Sequence, residues 1–341
     1  MRKKAIFFVW VLVFIILAIV ATSLGAAAIK PFTVVSAIIG KIPLLNNLIH
    51  TDISEANQLI IFKVRMPRII MAGIVGVGLS VVGASFQSLF KNPMADPYVL
   101  GISSGTALGA AIAMIFKVSS PVASLSFVTV AAFLGAALTT SFVYNIAQVK
   151  GKVTITNLLL AGCSVSFFAT ALISIIMVFN QNEVNKIVFW MMGSLSASSW
   201  NNIYIAAPVV LIGSGIIFFF YRDLNIMLMG EEDAVTLGVE TELIKKIIVI
   251  VSSLIIAVCV SFSGIIGFVG FIIPHIVRIL FGPNNKVLIP FSAVGGAIFL
   301  LFSDTIARTV AAPAELPVGA ITALIGAPFF IHLLIKMKKR S

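Results

Sequence analysis

Ile247-IVIVSSLIIAVCVSFSGIIGFVGFIIPHIVRIL-Phe281 is the stretch on which the fold turns. As a single helix its thirty-five residues would run about 52 Å, against a hydrocarbon core roughly 30 Å thick. Gly264, Gly267, Gly270 and Pro274 are the places where it can break, glycine for want of a side chain and proline for want of an amide hydrogen. A split near Ser263–Gly264 makes two spans of one over-long run. The parity of the whole chain follows from that split.

Outside this stretch the chain is equally apolar. Hydrophobic residues make up 60% and charged residues 10%, and the mean hydropathy of +1.15 marks an integral membrane protein. The apolar runs are continuous rather than alternating, which excludes an outer-membrane type of barrel. The longest polar stretches, about Lys30 to Arg65 and Arg222 to Lys246, are loop-sized, so residues 1–341 read as one transmembrane domain. Met1-Arg-Lys-Lys followed by apolar residues and Ser23-Leu-Gly25-Ala26 imitates a secretory signal. The run Ala5 to Ala28 is long enough to cross, and an uncleaved first span is expected. Cys163 and Cys259 lie inside apolar runs, so neither a disulfide framework nor a metal site is implied. The net charge of +11 fits basic cytoplasmic loops better than nucleic-acid binding.

Hydropathy predicts spans near 5–28, 66–90, 99–116, 122–147, 154–179, 203–221, 287–307 and 316–335. With the divided stretch these make ten. Both ends, Met1-Arg-Lys-Lys and Lys336-Met-Lys-Lys-Arg340, are basic and belong in the cytoplasm, which requires an even number of crossings. On that topology fifteen of the twenty-three Lys and Arg residues are cytoplasmic. The expectation is an all-α polytopic membrane protein with cytoplasmic N- and C-termini. Small residues recur every fourth position in the second span (Ala72, Gly76, Ser80, Ala84, Ser88) and the third (Gly101, Gly105, Gly109, Ala113), which predicts close helix packing.

No catalytic constellation is present. His50, His275 and His332 fit no metal-ligand spacing, and neither Gly40-Lys41 nor Gly151-Lys152 continues into a phosphate loop. The chain therefore holds no ATP in that manner, and no cofactor is expected. Asp96, Asp304, Glu183 and Glu315 sit at predicted span ends rather than mid-span, which counts against an ion-coupled carrier.

Two polar features remain. In Arg65-Met-Pro-Arg68 the proline suits a first helical turn, while the arginines stand where a helix dipole gives cations no help. Arg308 falls on the same outer face, and three exposed guanidinium groups would make a dock for a partner's carboxylates. Interfacial snorkelling, or pairing of Asp304 with Arg308 at helical spacing, explains them equally well from chemistry alone. The second feature is an acidic island. Asp223, Glu231, Glu232, Asp233, Glu240 and Glu242 are six of the chain's twelve acids. Gly230 and Gly238 punctuate it, and span parity puts it in the cytoplasm. Leu224 with Leu228, and Ala234 with Leu237, predict two short helices carrying an apolar ridge, with the carboxylates at the second helix start. A solvated loop is the plainer alternative.

Six segments in order carry a resemblance: Arg65-MP-Arg68; Gln87 with Asn92-PMADPYVLGISSGTAL-Gly109; Trp190-MMGS-Leu195; Leu228-MGEEDAVTLG-Val239; Gly264-IIGFVGFIIPHIV-Arg278; and Glu315-LPVGAITALIGAPF-Phe330. From about residue 60 onward the chain resembles the permeases of ABC importers for iron-siderophores, haem and cobalamin. The resemblance implies a ten-span permease in a bacterial inner membrane, not itself an enzyme, that moves an iron chelate. It further implies pairing with an identical or paralogous permease, two cytoplasmic ATPase subunits and an extracytoplasmic substrate-binding protein. Cobalamin is the alternative cargo, and an ion-coupled secondary transporter the rival class. The family's docking arginines correspond to Arg65, Arg68 and Arg308. Its ATPase-coupling segment corresponds to residues 223–239, with Leu224, Leu228, Gly230, Glu231, Glu232, Ala234, Leu237 and Gly238 as the coupling residues. Its pathway lies beside the fifth and tenth spans. Met94, Asp96, Met227 and Met229 are local departures.

Overall fold

A computed structural model describes residues 2–338 apart from 26, 28, 42–52, 117–120 and 150–151. Met1, Ala26, Ala28, His50, Gly151, Lys339 and Arg340 of the sequence reading lie outside the described residues. Within them the chain forms fourteen helices: α1 Arg2–Ser23, α2 Pro31–Gly40, α3 Glu55–Leu89, α4 Ile102–Ile115, α5 Pro121–Ala147, α6 Ile155–Phe179, α7 Val184–Met191, α8 Trp200–Phe219, α9 Tyr221–Met227, α10 Glu231–Thr236, α11 Thr241–Ser263, α12 Val269–Phe281, α13 Asn285–Thr309 and α14 Val318–Lys338. A two-residue antiparallel ladder, Gln148↔Val153 and Val149↔Lys152, qualifies the all-α expectation.

Every predicted span is a helix, but not every helix is span-length. Seven of the described helices are long and apolar enough to cross a membrane. Ile102–Ile115 and Val269–Phe281 are apolar but shorter. At 1.5 Å per residue these two reach only about 20 Å. Both begin after non-helical backbone. A 3-10 turn, Pro97–Leu100, precedes α4, and residues 264–268 precede α12.

That second interruption is the break expected from the sequence. Helix α11 ends at Ser263 because Gly264 takes φ 66°, a conformation that disfavours any side chain. Unpaired backbone inside a membrane protein is tolerated only where protein groups satisfy it. Here they do. The Ser194 amide donates to Ser263 O at 2.8 Å. The Tyr98 hydroxyl donates to Ile266 O at 2.9 Å and accepts from the Ile266 amide at 3.3 Å. The start of α14 joins the same node, with Val318 N donating to Gly193 O and Gly319 N to Met192 O, both at 3.1 Å.

Helix α3 is the axis of the bundle, buried along most of its length among α8, α11, α12 and α13. The small-residue stripe does what its spacing predicts at Gly76, where a Cβ would lie 2.3 Å from Gly296 O of α13; Gly83, off the stripe, comes closer still, its Cβ only 1.7 Å from Gly270 O of α12. Gly105 and Gly109 bring α4 equally close to α5 at Gly135 and Ala131. Helix α1 lies against this core through the rings of Phe7 and Trp10 on Phe291.

Two expectations are corrected. Pro67 is not at a helix start but inside the continuous helix α3. Having no amide hydrogen, it is accommodated by a π-helical turn, Ile60–Arg65, and the Trp200 indole donates at 2.8 Å to the Phe62 carbonyl that a following amide would otherwise serve. Helix α7, amphipathic and only eight residues long, went unpredicted within a supposed loop.

The backbone contact at Gly83 makes a direct test. Gly83→Ala should force α3 from α12 and destabilise the folded protein by about 1–3 kcal/mol, read as a lower Tm in detergent. Gly215→Ala in α8, where a Cβ meets nothing within 4 Å, should leave Tm unchanged.

Candidate functional site

Helices α3 and α13 run antiparallel, and each end of the pair carries a polar cluster. At one end Arg68 Nε donates to both oxygens of Asp304 at 3.0 Å, while Nη2 lies 2.9 Å from Oδ1. Its Nη1 reaches Glu315, at the approach to α14, at 2.8 and 2.9 Å. Asp304 is 0% exposed, and Arg308, one turn on, lies 3.8 Å from its Oδ2. Arg308 also donates to the carbonyls of Leu24, at 2.6 Å, and Ala21. Arg65 donates to Thr22 O at 2.6 Å, to Ser23 O at 3.2 Å and to Ala27 O.

The expectation of three exposed guanidinium groups is therefore corrected. Arg65, Arg68 and Arg308 are 6%, 8% and 7% exposed. The physical reason lies in the end of α1, whose last carbonyls have no intrahelical donors. Arg65 and Arg308 supply those donors, and their positive charge suits a helix C-terminus. Arg68 has a different task, neutralising a carboxylate that the bundle buries completely. The helical pairing of Asp304 with Arg308 is present too, but as the weaker partner of a network.

At the other end of the pair lies the acidic island, and it is folded. Helix α9 leads through Met229 and Gly230 into α10, which closes in a left-handed turn at Gly238, φ 85°. The Val239 amide donates to Ala234 O and the Gly238 amide to Val235 O, both at 2.9 Å, with Val239 buried beneath. Two short helices at a glycine bend are what the sequence predicts. The ridge is a different one. Leu224 and Ala234 are 0% exposed and face inward, and Leu228 is half-buried. The apolar side chains that face out are Met229, Val235 and Leu237, 72%, 59% and 61% exposed. Short helices packed on a core turn one face in, and the leucines that sequence spacing grouped are divided between the two faces.

Of the carboxylates, Glu231 and Glu242 both accept from the buried Lys245, the latter at 3.0 Å, and Glu242 also accepts from the Val153 amide at 3.1 Å. Glu232 and Asp233 are exposed at the first turn of α10. Near the same end, Asn92, Pro93 and Met94 with Phe271, His275 and Phe330 enclose an apolar recess of about 260 Å³. Asp96 beside it accepts the Tyr98 amide at 2.7 Å and so starts the turn before α4; burial pushes its carboxyl up to about 6. No cluster of three or more potential metal ligands occurs among the described residues.

The ion pair of Arg68 with Asp304 should show in stability. Arg68→Met leaves a buried carboxylate without its main partner and should cost about 3 kcal/mol, seen as a fall in Tm. Adding Asp304→Asn should recover more than half of the loss. Equal destabilisation by the single and double variants would refute the assignment.

The chain matches the FecCD transport family over residues 12–336. It is 43% identical over 289 residues to the cobalamin import system permease protein BtuC of Halobacterium salinarum, covering 85% of this chain and 77% of that one. It is 35% identical over 294 residues to the hemin transport system permease protein HmuU of Yersinia pestis, covering 85% and 87%. Among solved structures, an ABC transporter assigned to the metal-chelate type, in an inward-facing conformation, superposes with a TM-score of 0.84 at 31% identity, covering 98% and 99% of the two chains. With seven span-length helices and these relatives, the chain is a multi-pass membrane protein that belongs to the FecCD transport family of ABC importer permeases.

Proposed function

We propose that this permease carries a metal chelate across the cytoplasmic membrane through ten spans with both termini inside, driven by two separate ATPase subunits that seat on the outward surface of residues 223–239. The observation that carries the reading is the folded island. It presents an apolar surface of Met229, Val235 and Leu237 next to the free carboxylates Glu232 and Asp233, on a chain with no phosphate loop of its own. Exposed apolar side chains on a small rigid projection fit a groove on a soluble partner. ATP binding draws the two ATPases together, and the projections move with them. The membrane helices then exchange between two arrangements that open the pathway to either side. That pathway runs between two permease subunits, identical or paralogous, beside α6 and α14.

At the opposite end we assign the dock for an extracytoplasmic binding protein to the surface over Arg65, Arg68 and Arg308. Arg68 is held by two carboxylates, so it serves as scaffold. Arg65 and Arg308 are held mostly by neutral carbonyls, and a partner's carboxylates can recruit them by offering a charge-assisted bond. An iron chelate comes first on family grounds. The 43% identity to a cobalamin permease favours cobalamin as the second cargo to test.

Leu237→Asp should abolish co-purification of the ATPase subunits and reduce uptake at least tenfold, by about 1.4 kcal/mol or more of lost interface. Radiolabelled ferric siderophore, haemin and cyanocobalamin, supplied in turn to proteoliposomes of the complete complex, identify the cargo. Accumulation that ignores ATP but collapses with the ion gradient would sink the importer reading in favour of a secondary transporter.

A further inference from the structure

Beneath the outward surface of the island lies a joint that neither the docking nor the coupling reading uses. Asn225, in the middle of α9, turns its carboxamide toward the start of α13. Its Oδ1 accepts from the backbone amide of Asn285 at 2.8 Å and from Asn285 Nδ2 at 3.0 Å. Its own Nδ2 donates to Asn284 Oδ1 at 3.0 Å. Asn285 Oδ1 in turn accepts from Ser88 Oγ, in the last turn of α3, at 2.8 Å. Asn285 and Ser88 are both 0% exposed. The first amide of α13 is thus held by a side chain of α9, while its own cap, Asn284, serves the Lys286 amide at 3.0 Å. One carboxamide ties three helices with directional, neutral hydrogen bonds.

We infer that Asn225, through Asn285 and Ser88, is the positioning residue that transmits movement of the island to the α3–α13 pair, and through it to the arginine cluster at the far end. The inference rests on the reading of the outward surface of residues 223–239 as the ATPase seat. The buried amide of Asn285 must keep an acceptor, so α13 follows α9 rather than parting from it. Nor can α13 slide along α3, because the backbones meet at Gly76 and Gly296, where a Cβ on either would lie within 2.3 Å of the other's carbonyl oxygen. At the far end Arg68 and Asp304 close the pair with an ion pair. The helical backbone of α13 runs unbroken from the joint to its far end, about 37 Å away, with Pro290 inside it and Gly296 held against α3. Besides the packing of Leu224, Met227, Ala234 and Val239 on the core, the island is tied to α11 by the ion pair of Glu231 with Lys245, whose glutamate side chain is 48% exposed. A solvated ionic contact of that kind restrains its partners weakly.

The test uses the complete permease–ATPase complex in nanodiscs, with an environment-sensitive fluorophore on Val310→Cys in a Cys163→Ser background. Val310 caps the far end of α13 and is 71% exposed. ATP turnover and the ATP-dependent emission shift are read on the same sample, at matched amounts of folded complex. Asn225→Ala should shrink the shift per unit of turnover at least about fivefold, the lower end of ordinary coupling between sites. Asn225→Asp, which keeps the accepting oxygen, should restore it. Asn225→Ala with Asn285→Ala should do no further damage, because both remove one joint.

An undiminished shift in Asn225→Ala overturns the proposal. So does a shift that falls only in proportion to turnover, which would make the cluster a folding contact alone, and so does a parent that shows no shift. Leu237→Asp separates the two readings. If that variant still binds its ATPases while Asn225→Ala loses the shift, the seat is misplaced and the joint stands.

Discussion

The contact of backbone on backbone along α3 is the constraint to which the rest of this molecule answers. Lipid is as apolar as the helices it surrounds, so burial of leucine supplies little drive for helices to associate. Close approach supplies it instead. Gly76 against Gly296 and Gly83 against Gly270 bring three helices to distances at which no side chain fits between them. Dispersion then acts over many atoms at optimal separation. The same geometry removes freedom. Helices that interlock by their main chains exchange between discrete packings rather than deform smoothly, which is the property a two-state transporter requires.

Rigid packing also explains where the polar groups are. Charged and amide side chains collect where α3 and α13 end. One end holds a buried carboxylate between two arginines, and the other holds a buried asparagine between two helices. Neither cluster adds much net stability, because each must offset the desolvation of its own groups. What each adds is register. An ion pair that must be bidentate and a carboxamide that must match donor to acceptor allow one axial position of α13 on α3.

The organisation was legible in the sequence wherever a single residue type decides the outcome. Small residues at every fourth position announced the close approaches at Gly76, Gly105 and Gly109, though not the one at Gly83, and Gly264 announced the end of α11. What was not legible was direction. Spacing grouped Leu224 with Leu228 and Ala234 with Leu237, yet which side of a seven-residue helix turns inward depends on what it packs against. The arginines misled for a related reason. Their acceptors are the main-chain carbonyls of α1, some forty and nearly three hundred residues distant, and carbonyls leave no mark in a sequence. Pro67 could have been read inside a helix, since Trp200 is a lone indole donor near a span end. Nothing local connected it to Phe62.

The two ends of the α3–α13 pair differ in the kind of bond they can exchange. At the arginine end, Arg65 and Arg308 hold mostly neutral carbonyls, and a carboxylate is a stronger acceptor to which they can be drawn. At the asparagine end, the Asn285 amide is sealed from water and has no substitute for the Asn225 oxygen. A partner at the first end can therefore rearrange bonds, whereas a partner at the second must move the helices bodily. That asymmetry suits the roles proposed for the two ends, recognition at one and force at the other. Recognition asks for contacts that release, and force asks for a joint that does not.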